Sequence, residues 1–71
     1  MKFVEFNRME RNPYGRDVSY ETCGVTTFDL DAVRRINKGQ WVTSVVFGDA
    51  DTILIPLDQY EPLRKLLMDR R

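Results

Sequence analysis

The chain has 71 residues, in which 11 Lys and Arg balance 11 Asp and Glu, with no histidine and a single cysteine. One domain and one modest core fit in that length, with a net stability of about 3–5 kcal/mol, and a 42% apolar, 31% charged make-up is that of a folded chain. Zero net charge argues against a nucleic-acid binder, the lone Cys23 excludes an intrachain disulfide, and the missing histidine removes the commonest general base and zinc ligand.

The first residues, Met1-Lys2-Phe3-Val4-Glu5, lack the apolar centre of a signal peptide, and no stretch approaches the ~20 apolar residues that span a bilayer. With one thiol and no membrane segment, a cytoplasmic protein is expected. The charges fall in blocks. Residues 2–16 are net basic, 17–31 acidic, 34–38 basic, 49–61 acidic and 64–71 basic.

In chain order, Lys2 to Phe6 is aromatic and β-branched and predicts a strand. Residues 7–16 lose apolar periodicity, gain charge and contain Asn12-Pro13 and Gly15, so they predict a flexible loop. From Asp17 to Thr27 the chain is extended again, with Gly24 marking a bulge or a close backbone approach. Phe28 to Ile36 mixes strand and helix spacing, which predicts a short helical turn between strands, closed by Asn37-Lys38-Gly39.

The strongest pattern is a hairpin. Trp41 to Phe47 and Thr52 to Ile55 are β-branched runs joined by Gly48-Asp49-Ala50-Asp51. Trp41, Thr43, Val45 and Phe47 share one face and Val42, Ser44 and Val46 the other, which predicts a central strand with Trp41 in the core. Pro56 ends the second strand. Asp58 is then placed as an N-cap, with Glu61 three residues on and Leu57 beside it, opening a helix from Gln59 to about Asp69. Tyr60, Leu63, Leu66 and Leu67 form its apolar stripe. The fold class is therefore α+β: a small antiparallel sheet of about four to five strands packed by one C-terminal helix, in a single domain over residues 1–71.

The candidate chemistry is sparse. Asp29 with Asp31, and Asp49 with Asp51, have the spacing of paired carboxylates, but Asp49 and Asp51 supply turn chemistry, Asp29 and Asp31 are expected to face water, and no nucleophile, base or metal-ligand set accompanies them. Asp49-Ala50-Asp51 supplies two ligands where a calcium loop needs about six. Cys23 has Glu21 nearby, which opposes a thiolate, and is expected to be an inert, half-buried strand cysteine. No catalytic residue, metal site or cofactor is expected.

What remains is a set of arginines and aromatics without a core role. Arg8, Met9, Arg11, Tyr14 and Arg16 are residue types enriched at protein interfaces, and these five are the expected partner-binding residues. Arg8, Arg11, Tyr14, Arg16 and Tyr20, and again Arg34, Arg35, Lys38 and Trp41, also interleave charge with rings, as single-strand nucleic-acid binders do, which supports that alternative.

Phe28-Asp29-Leu30-Asp31-Ala32-Val33, then Val42 to Phe47, Gly48-Asp49, Thr52 to Ile55 and a terminal helix, is similar in pattern to small β-rich FlbD-type flagellar proteins. In size and kind the whole chain resembles the small bacteriophage proteins that bind the host RNA polymerase. That resemblance implies a non-enzymatic regulator acting by protein–protein contact on a large bacterial machine, RNA polymerase first among them, with no membrane and no small-molecule substrate involved.

Overall fold

The structure is a computed structural model describing residues 2–14, 19–48 and 51–69. Five strands form two antiparallel sheets, and one helix follows them. Strands β1 (Phe3–Arg11) and β2 (Tyr20–Asp29) make a long hairpin. Strands β3 (Arg35–Lys38), β4 (Val42–Val46) and β5 (Thr52–Pro56) make a three-stranded sheet in that order, and helix α1 spans Tyr60–Asp69. This is the α+β architecture that the sequence predicts.

β4 is central, as its two apolar faces require. Its ladders with β3 and β5 place Thr43, Val45, Ile53, Ile55 and Ile36 on one face. Leu63 of α1 seals that face; Val45, Ile55, Leu63 and Thr43 are all fully buried. Thr43 is the polar member, and its hydroxyl donates to the Pro56 carbonyl at 3.4 Å. Leu67 packs one turn beyond Leu63, whereas Leu66, expected in the same stripe, is 40% exposed, so the buried stripe is narrower than the leucine spacing suggests.

The two sheets meet through aromatic rings. Phe28 of β2 lies 5.8 Å from Phe6 in a near-parallel stack and 5.2 Å from Phe47 edge-on, joining the hairpin to the end of β4. Val4 packs there too. The corner between the sheets is a 3-10 turn at Leu30–Ala32, the short helical turn expected between strands. Asp29 caps it, its carboxylate accepting from the Asp31 amide at 2.9 Å and from the Lys2 amide at 3.2 Å. Those bonds hold the Asp29 carboxyl below the usual aspartate range, the Asp31 amide contributing most. Leu30 and Val33 are buried at this corner, and the Arg34 amide donates to the Val46 carbonyl to start the β3–β4 ladder.

Several expectations need correction. Residues 7–11, expected to be loop, continue β1, because the facing strand satisfies their backbone groups and a strand lying beyond the core needs no apolar alternation. Asn37 and Lys38 belong to β3 rather than to a closing turn, and the reversal falls at residues 39–41. There the Gly39 amide donates to the Val42 carbonyl at 2.9 Å; a Cβ at Gly39 would stand 2.7 Å from that oxygen, so only glycine fits. Trp41 sits in this turn and is 50% exposed instead of in the core, since it precedes the first ladder residue of β4. Asp58 lies inside a 3-10 turn, Leu57–Gln59, that runs into α1; it accepts from the Gln59 side chain at 3.5 Å rather than standing as a cap ahead of the helix. Arg16 and Asp49 lie outside the described residues.

Candidate functional site

The β1–β2 hairpin outgrows the core that it joins. Nine or ten strand residues reach about 30 Å, and the molecule extends 42 Å along its longest axis, with a radius of gyration of 12.3 Å against about 11 Å for a compact chain of this length. One half of the hairpin is docked through Val4, Phe6 and Phe28. The other half, beyond Asn7 and Val25, carries polar and charged residues and has no core to fill.

A bulge separates the halves. Asn7 pairs with Val25 but Met9 with Thr22, so Cys23 and Gly24 together oppose Arg8. Gly24 has φ of 70°, the left-handed region in which a side chain is strained, which explains the glycine and agrees with the interruption expected at that position. Beyond the bulge, Arg11 faces Tyr20 and Glu10 faces Glu21. The Asn12 amide donates to the Ser19 carbonyl at 2.9 Å and closes the hairpin, and the Asn12 side chain accepts from the Tyr14 amide at 2.9 Å, shaping the start of the tip.

The expected partner-binding residues are thereby sorted. Arg8, Met9 and Arg11 line one groove of about 260 Å³ between β1 and residues Thr52, Ile53 and Leu54 of β5. Tyr14 stands at the arm's end, 94% exposed. Arg8 is not a free cation: its guanidinium pairs with the Glu10 carboxylate and lies 3.8 Å from Cys23 Sγ, contacts that raise its pKa, the thiol bond foremost. Arg11 has no ion pair among the described residues.

Two features escaped the sequence reading. Cys23 is exposed rather than half-buried, and it faces a cation as well as Glu21, because the bulge lies beyond the core and brings Arg8 opposite it. Tyr20 and Trp41, far apart in sequence, bring their rings to 6.4 Å in a tilted contact. The register places Met9, Arg11 and Thr22 on the Tyr20 face, a placement confirmed by the Thr22 hydroxyl 3.5 Å from Met9 Sδ. Arginine interleaved with Tyr20 and Trp41 was the available signal; assigning Trp41 to the core hid it.

A second concavity, about 500 Å³, opens at the opposite end of β2 and is lined by Thr26, Phe28, Asp29, Phe47, Asp51 and Thr52 among others. Its Asp29 carboxylate is already committed to the Asp31 and Lys2 amides. Among the described residues no cluster of His, Cys, Asp and Glu is suited to a metal ion, and no helix is long and apolar enough to cross a membrane.

Compared with known proteins, the chain matches no family model, no curated protein and no solved structure.

Proposed function

We propose that this protein is a small non-enzymatic regulator that works in the bacterial cytoplasm by protein–protein contact, using the outer half of the β1–β2 hairpin as its binding arm. The observation that carries this reading is the arm itself: strand that continues past Phe6 to Arg11 and leads into a turn bearing Tyr14, 94% exposed. A marginal domain gains nothing in stability from displaying a tyrosine and an Arg11 that has no ion pair among the described residues, whereas an interface is built from such residues. The partner is a larger bacterial machine. In keeping with the resemblance to phage regulators, host RNA polymerase is the first candidate.

Tagged protein incubated with bacterial lysate, and then with purified RNA polymerase, tests the proposal. A stoichiometric protein partner is the expected result, and its absence from both counts against the reading. The exposed Trp41 ring beside Tyr20 favours one alternative, stacking on single-stranded nucleic acid. Binding of that kind would weaken steeply between low and moderate salt.

A further inference from the structure

We propose that the Tyr20–Trp41 ring pair with Arg11 forms a docking platform for an acidic protein segment that carries one apolar anchor side chain. The inference rests on the protein-binding reading above and names the chemistry of the partner. Trp41 is half exposed and held against Tyr20 at 6.4 Å, which leaves an amphipathic plate of the kind that anchors an aromatic, aliphatic or proline side chain. The ladder sets Arg11 directly opposite Tyr20 and puts Met9 and Thr22 beside them on the same face. Glu10 and Glu21, the nearest carboxylates of the ladder, oppose each other on the other face.

Charge decides the class of partner. Among the described residues near the platform, Arg8 is paired with Glu10 and the Lys38 ammonium is held over the Tyr60 ring at 5.8 Å, so Arg11 is the arginine there with neither an ion pair nor a ring partner. A nucleic-acid strand needs a run of phosphate contacts and a basic surface to release its counterions, which a chain of zero net charge, with Arg11 and Lys38 as the cations lacking an ion pair among the described residues here, does not offer. A single carboxylate is a better match, since one guanidinium engages it in a two-pronged bond. The occupant is therefore a segment with a carboxylate against Arg11 and an apolar residue on the Trp41–Tyr20 plate.

Trp41 is the sole tryptophan of the chain, so its fluorescence reports binding directly. The probes are a synthetic peptide of Asp and Glu around one phenylalanine, the same peptide with lysines in place of the acids, and oligo(dT). A saturable emission change with the acidic peptide is expected, weakened about tenfold, the size of a 1.4 kcal/mol loss, by Arg11→Glu. That variant should in turn respond to the lysine peptide. Arg11→Ala, with melting followed alongside, shows that lost binding is not lost folding. No saturable response to the acidic peptide, an equal response to the lysine peptide, or a response to oligo(dT) alone overturns the proposal. A lysate partner retained equally by wild type and Arg11→Glu also overturns it while leaving the broader reading in place; no retained partner at all counts against both.

Discussion

The helix-backed sheet and the outer hairpin are built from the same kinds of strand but answer to different demands. In the first, β4 is paired on both edges, and Val45, Ile55 and Leu63 have lost all contact with water, so each of these side chains is fixed by its neighbours' volumes. In the second, strands of similar backbone regularity carry Arg8, Glu10, Arg11 and Glu21, and the ladder, the bulge at Gly24, the groove against β5 and the Tyr20–Trp41 contact define their shape without a buried side chain. The energy of the fold lies in one region and its unspent surface chemistry in the other. A substitution should therefore affect either stability or binding, seldom both.

The largest stability effect is expected where the regions join. Phe28→Ala removes the ring between Phe6 and Phe47 and should cost about 3–5 kcal/mol, comparable to the whole margin of a domain this size. Urea or thermal denaturation followed by circular dichroism should show a largely unfolded chain. Leu63→Ala comes next, at about 2–5 kcal/mol, because it opens a cavity under a side chain of zero exposure. If it instead unfolds only α1 and leaves the hairpin ordered, the two regions are less coupled than the shared core implies.

Gly24→Ala tests the hinge between the halves. A Cβ there meets nothing within 4 Å, so the cost is the backbone conformation alone, about 1–2 kcal/mol, and Gly24→Asn should cost less. Acid sensitivity is a finer test of the corner. The Asp29 carboxyl has a lowered pKa in the folded state, so its contribution is present above the unfolded value of about 3.9 and is lost as pH falls through the lower folded value. Melting temperature measured against pH should fall on that acid limb, and Asp29→Asn should flatten it.

The difference between the regions also explains what was legible in the sequence. The β4–β5 hairpin and the C-terminal helix announce themselves because burial imposes apolar periods of 2.0 and 3.6, and Pro56 marks the boundary between them. Residues 7–11 carry no such period, because that part of β1 contributes no buried side chain, and charge density alone reads as loop. Gly24 signals its bulge locally. Trp41 misled because its size suggests burial, while its place in the turn at residues 39–41, one residue before the ladder, is decided by Gly39. Of the expected site, Arg8, Met9 and Arg11 come together in one groove and Tyr14 stands at the tip. The pairing of Arg8 with Glu10 is an i, i+2 contact on one face of β1 and becomes legible once residues 7–11 are strand, whereas the meeting of Tyr20 with Trp41 depends on packing between distant segments, which no local pattern encodes.

The smallest stability effects are expected on the arm. Arg11→Glu and Tyr14→Ala touch no buried side chain and should change stability by no more than about 0.5 kcal/mol. The most direct measurement of the central claim uses the two substitutions together: retention of a stoichiometric protein partner from bacterial lysate, with the melting temperature recorded on the same preparations. Loss of the partner at an unchanged melting temperature is the predicted result. A partner retained undiminished, or a large fall in melting temperature, would contradict the assignment of binding to the arm.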